Sequence, residues 1–158
     1  RELDAAQPDV IRAVVPEPPK PTDFAGWMAL AQDLSDLQTT LAAEGLRVRD
    51  VPERCADATD FSFSDHDRWN ALATMQQAYE EKLAALHVTD RDRARFTAIE
   101  QQHIATDRTI ILLGTTDLNR ITRQMLESLN TSRVIALIHA PESQASNFDD
   151  LGCLKTQA

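Results

Sequence analysis

Between residues 24 and 44 the hydrophobic positions fall at Trp27, Leu30, Leu34, Leu37 and Leu41, in steps of three or four. That spacing draws one stripe along a helix and puts Gln32, Asp33, Asp36 and Gln38 on the opposite face. Thr22 or Asp23 is the expected N-cap and Gly45 the expected left-handed stop. A second stripe, Trp69, Leu72, Met75, Tyr79, Leu83 and Leu86, predicts a helix from the capping pattern Ser64-Asp65-His66-Asp67 to about His87. A third helix is announced by Thr89-Asp90-Arg91-Asp92, carries Phe96 and Ile99, and ends near Gln102. Between the first two, "VRDVPERCADATDFSF" gives mixed signals, which predict one short helical turn and then an irregular loop.

The period then changes. Thr109 to Leu113 is a continuous β-branched and aliphatic run, as expected for a strand covered on both faces. Leu118, Ile121, Met125 and Leu129 mark an amphipathic helix, and "RVIALIHAP", residues 133 to 141, reads as a second buried strand. Strand, helix and strand at this separation predict a right-handed βαβ unit with parallel strands. Ligands of such units gather at the carboxyl ends of the strands, here Gly114 to Asp117 and His139 to Ser143. Two strands make too small a sheet to stand alone, so more are expected from outside the chain, from the N-terminal "VIRAVV", or from both.

Four prolines within "VPEPPKPT", residues 15 to 22, impose an extended linker. The preceding "RELDAAQPDVIRAVV" accommodates the end of an earlier element and one short strand, without a firm assignment. The expected organisation is a leading segment and proline-rich linker over 1–22, a helical subdomain over 23–104, and a β-α-β portion over 105–158. The fold class is therefore α/β and helix-rich, a helical subdomain followed by a parallel β-α-β unit.

Composition narrows the function classes. The 158 residues hold 42% hydrophobic positions, enough for a core without staples. Aromatics at 5% and only 4 glycines favour helix over an all-β design. No apolar run approaches the ~18–20 residues that cross a bilayer, so no membrane partner is expected. Cys55 and Cys153 stand far apart without a Cys-x-x-Cys partner, which predicts two unpaired thiols in a reduced, cytoplasmic setting. A net charge of −9 disfavours autonomous nucleic-acid binding, which needs clustered Lys and Arg. The start at Arg1, without Met, and the end in "LKTQA" just after a Gly-containing turn suggest a piece of a longer chain.

The strand ends are the place to look for chemistry. Thr115, Thr116, Asp117, His139, Glu142 and Ser143 offer a nucleophile, a base and a carboxylate, but no Gly-x-Ser-x-Gly elbow presents them. Thr116 or Asp117 as the cap of the following helix is the plainer assignment. "GTTDLNR" lacks the glycines and the Lys of a phosphate loop and the further glycines of a dinucleotide fingerprint. His66, His87, His103 and His139 show no ligand spacing, so no metal or other cofactor is expected. Trp27 and Trp69 lie on apolar stripes and read as core, not as base-stacking platforms.

The order of segments resembles the inactivated superfamily I helicases, the AddB-like (RecC-like) subunits of bacterial helicase-nuclease complexes. The similarity spans about residues 25 to 145, from "LAQDLSDLQTTLAAEGL" through "HDRWNALATMQQAYEEKLAAL" and "TDRDRARFTAIEQQ" to "TIILLGTTDLNRITRQMLESL" and "RVIALIHAPES". In active members the first of these strands ends in an Asp-Glu pair, usually continued as Phe-Gln-Asp-Leu-Asn, and the second ends in Gly-Asp. The resemblance places Leu113 and Gly114 at the Asp-Glu positions, matches Asp117, Leu118 and Asn119 to the residues that follow, and places His139 and Ala140 at Gly-Asp. Pro141 matches a common next residue, whereas Gln144 falls one position late for the family's Gln and takes no role. ATP hydrolysis needs a carboxylate to hold magnesium and another to orient the attacking water, and Leu113 and Gly114 supply neither. The resemblance thus implies a partial P-loop-NTPase-like motor fold with its catalytic positions lost. It also implies an active helicase-nuclease subunit as partner, DNA contacted through the full-length subunit, and a role in double-strand break repair. The family's nuclease carboxylates and iron-sulfur cysteines have no match here, so neither Cys55 nor Cys153 takes that role. A stand-alone α/β enzyme using Asp117, His139 and Ser143, and a helical protein-interaction module, are the alternatives.

Overall fold

The computed structural model describes residues 8–56, 63–129 and 133–155. The chain divides into two compact units, 1–90 and 91–158.

The first unit is helical. Helix α1, Pro8–Val14, begins with proline at its first position, where a missing N–H costs nothing. Residues 10–14 of "VIRAVV" are therefore helical, and the segment, left without a firm assignment above, is not the short strand that was one option for it: Ile11 and Val14 are buried, and burial outweighs β-branched propensity. Residues 1–7 lie outside the described residues. The proline stretch that follows is non-helical, as expected, but bends at Pro16 and Glu17 and turns at Pro21 and Thr22 rather than running extended throughout, and the indole Nε1–H of Trp27 donates to the carbonyl of Lys20 at 3.1 Å.

Helix α2, Phe24–Ala43, starts where Asp23 accepts from the N–H of Gly26 at 2.9 Å. It ends in a Schellman-type stop, with Gly45 at φ +70° and the N–H of Leu46 bonded to the carbonyl of Leu41 at 2.9 Å. The mixed-signal segment gives a 3₁₀ turn, Val48–Asp50, and helix α3, Val51–Ala56. The irregular loop expected after it falls on 57–62, outside the described residues. Helix α4, His66–Ala85, takes Asp65 as N-cap residue without a capping bond from its side chain. Val14, Val48, Ala71 and Leu72 form the core of this unit, with Leu34, Leu37, Leu41, Trp69 and Met75 packed against it. The stripe of α4 leaves this core toward its C-terminus, where Tyr79 and Leu86 are exposed.

The second unit opens with helix α5, Arg91–Glu100, and continues through strand β1, Ile110–Leu113, helix α6, Arg120–Glu127, and strand β2, Val134–Leu137. The strands pair in parallel with Ile110 opposite Val134 and Leu113 opposite Leu137. A helix-rich α/β architecture is thus present, with a sheet of two strands among the described residues. The second strand is shorter than the apolar run, because the chain turns away before Ala140 and Pro141 into a 3₁₀ segment, Glu142–Asn147.

One face of this sheet packs as expected. Ile110, Leu112 and Val134 lie against a cluster of Leu126, Leu129, Leu151 and Cys153. The other face departs from the expectation of cover on both sides: Ile111, Leu113, Ile135 and Leu137 are exposed. The alternation of burial along each strand is that of a half-covered sheet, although the sequence is apolar on both faces.

Candidate functional site at the strand ends

Leu113 closes β1 and is 79% exposed, the highest value among the exposed large hydrophobic residues described. Gly114 follows at φ +63°, donates its N–H to the carbonyl of Leu137 at 2.9 Å, and has open space where a Cβ would sit. Leu113 and Gly114 therefore present an aliphatic side chain and none at all, with no carboxylate at either position. His139 is exposed and Ala140 half-buried, at the end of the second strand.

Helix α6 is capped by Asn119, whose Oδ1 accepts from the N–H of Thr122 at 3.0 Å. This corrects the assignment to Thr116 or Asp117: the helix starts one turn later, and Asn at this spacing serves equally well. Asp117 is exposed. No hydrogen bond or ion pair joins Asp117, His139 and Ser143. Among the described residues no group of three or more His, Cys, Asp or Glu is placed to hold a metal ion. Cys55 and Cys153 are both free.

The carboxyl ends of the strands are instead bridged by the chain itself. Leu154 donates its N–H to the carbonyl of Thr116 at 3.1 Å, and forms an antiparallel bridge with Phe148. Gly152, at φ +76°, lies so close to β2 that a Cβ there would meet Cδ1 of Ile138 at 2.9 Å and Cβ of Ala136 at 3.0 Å. This approach needs glycine both for the left-handed backbone and for the space.

One ion pair fastens this segment to α6. Nη1 of Arg123 lies 2.7 Å from Oδ2 of Asp149, while Oδ1 accepts from the N–H groups of Leu151 at 3.0 Å and Cys153 at 2.9 Å. Burial pushes the Asp149 carboxyl up, but the bond from Arg123 and the two backbone N–H groups outweigh it and hold the group below the usual carboxylate range. The bond to Asp149 raises Arg123 in turn. Burial, reinforced by the Asp149 charge, pushes the Cys153 thiol up, so that it stays protonated and unreactive near neutrality. Sequence reasoning saw the Gly-containing turn and missed the clasp. The available signal was an aspartate ahead of Leu-Gly-Cys, a spacing at which a side chain bonds its own turn.

The clasp predicts an acid response. A carboxyl whose folded pKa is depressed contributes stability above its unfolded value, about 3.9, and loses it as pH falls through the folded value. The second unit is thus expected to lose stability below about pH 4. Asp149→Asn should cost about 1–3 kcal/mol at pH 7 and flatten that acid limb, as urea unfolding at successive pH values would show.

Charge is divided unevenly. Residues 1–90 contain 17 of the 25 acidic and 8 of the 16 basic residues, and residues 91–158 contain eight of each. The net charge of −9 therefore belongs to the helical unit, and the unit with the strands is neutral. No helix among the described residues is long and apolar enough to cross a membrane. Comparison with known proteins finds no matching family model, no matching curated protein and no matching solved structure.

Proposed function

We propose that this chain is a non-catalytic, helicase-like scaffold segment of a cytoplasmic bacterial subunit that processes DNA ends in double-strand break repair. In this reading its strands are part of a P-loop-NTPase-like sheet whose ATPase positions are lost, and ATP hydrolysis belongs to an active helicase-nuclease partner. The observation that carries the reading is the character of the strand ends. Leu113 and Gly114 offer no carboxylate, and residues 149 to 154 lie against Thr116, Ala136 and Ile138, where a ligand of an α/β unit would enter. The lack of any hydrogen bond or ion pair among Asp117, His139 and Ser143 weighs against an enzyme built on them. The neutral charge of residues 91–158 leaves DNA contact to the rest of the subunit.

Two measurements test this. A fluorescent ATP analogue with magnesium should show no saturable binding to the chain up to about 1 mM, with Asp117→Ala indistinguishable from the parent sequence. The full-length subunit should capture a helicase partner and bind DNA ends in a salt-sensitive manner. Saturable ATP binding, or an intrinsic activity that Asp117→Ala abolishes, would sink the proposal.

A further inference from the structure

Residues 146–155 are closed on themselves. Asp149 donates its N–H to the carbonyl of Cys153 and its own carbonyl accepts from the N–H of Gly152, both at 2.9 Å, while Phe148 bridges Leu154. Lys155 donates its N–H to the carbonyl of Asn147 at 2.8 Å and its Nζ to that of Ser146 at 3.0 Å. The N–H groups of Leu151 and Cys153 on Asp149 Oδ1 also stay within the segment. Among the described residues its polar ties to the rest of the unit are three: the Leu154 bond to Thr116, the Leu118 N–H against the Cys153 thiol, and the Arg123–Asp149 pair. Lifting the segment takes Leu151 and Cys153 out of their cluster but leaves Leu126 and Leu129 against Ile110, Leu112 and Val134. A segment rich in internal bonds and poor in external ones opens as a unit, at less cost than global unfolding.

The ion pair that ties it down is shared. Nη1 of Arg123, 2.7 Å from Asp149, also lies 3.6 Å from Oε1 of Glu127, one turn along α6. Glu127 travels with Arg123 on the same helix, at the i,i+4 spacing where such side chains meet, and keeps that place when the segment lifts. We propose that residues 146–155 are a strap that opens and closes over the carboxyl ends of the strands, with Arg123 as its latch, bonded to Asp149 in the closed state and to Glu127 in the open one. Opening uncovers the carbonyl of Thr116 and the side chains of Ala136 and Ile138. Glu127 favours the open state twice over. It supplies the freed guanidinium with a partner, and in the closed state it brings a second carboxylate to the nitrogen that Asp149 holds. The inference uses residues 91–158 alone and stands whether or not the proposed function does.

The test is the labelling of Cys153 by Ellman's reagent in the full chain, with Cys55→Ser removing the other thiol. Cys153 is 2% exposed and so reacts when the strap is open. Hydrogen exchange of residues 110–113 and 134–137 reports global opening in the same samples. In the parent, Cys153 should open more often than the strands exchange, and its labelling should change little at low urea, because a strap exposes little surface. Asp149→Asn should speed labelling about tenfold. Glu127→Gln, at an exposed position on α6, should slow labelling about twofold while strand exchange and circular dichroism stay at the parent values. Labelling no faster than strand exchange in the parent would overturn the strap, since Cys153 would then be reached only by global unfolding. Unchanged or faster labelling in Glu127→Gln would overturn the latch.

Discussion

Ile121→Ala is expected to destabilise residues 91–158 by about 2–5 kcal/mol, the range for truncating a buried isoleucine that leaves a cavity. Ile121 has no exposed surface, the extreme case among the described side chains. It lies on α6, the helix that connects the two parallel strands and packs beside α5. A unit of this size has only ~3–10 kcal/mol in total, so the truncation consumes much or all of it. Hydrogen exchange read by mass spectrometry should show protection lost in α6 and both strands, with α2 and α4 unchanged. Ile121→Val, which removes a single methylene, should cost no more than about 0.5–1.5 kcal/mol. Equal effects of the two variants would mean that cavity size does not govern the loss.

The second large effect is expected at Gly152. Alanine there must adopt a left-handed backbone, at about 1–2 kcal/mol, and must also displace Ala136 or Ile138, for which overpacking adds about 1–3 kcal/mol. The end of Ile138 can swing aside, but the Cβ of Ala136 is fixed to the strand backbone. Gly114 provides an internal control: it shares the positive φ and has open space around it. Gly114→Ala should therefore show the backbone cost alone. The difference between the two midpoints in urea measures how tightly the C-terminal segment sits on β2, and equal midpoints would show that this approach is loose.

Much of this architecture was legible in the chain. The stripe from Trp27 to Leu41, the Asp23 cap and the Gly45 stop are local signals, and local physics decides them. The two strands and their parallel pairing follow from apolar runs separated by one helix. The failures share a cause. "VIRAVV" reads as a strand by propensity and forms a helix because distant residues bury Ile11 and Val14. An apolar run tells which side chains can be covered, not which are, so the bare face was invisible. The clasp pairs Arg123 on α6 with Asp149 beyond β2, a long-range contact that no local spacing encodes. Of the candidate site, the lack of a carboxylate at Leu113 and Gly114 was readable directly, whereas the choice between Asp117 and Asn119 as cap rested on a shift of two residues between equally suitable side chains.

The packing of α1 has a consequence for the order of synthesis. Its residues Val10 and Val14 pack into a core that α4, which begins at His66 and includes Ala71 and Leu72, completes. A chain emerging N-terminus first must therefore hold the apolar side of α1 in water until α4 has also left the ribosome. During that interval "VIRAVV" is a short β-prone stretch with no charge except Arg12, the kind of segment that chaperones bind and that pairs with other nascent chains. Arg12, exposed in the finished structure, acts there as a gatekeeper for a vulnerability that the folded protein no longer shows.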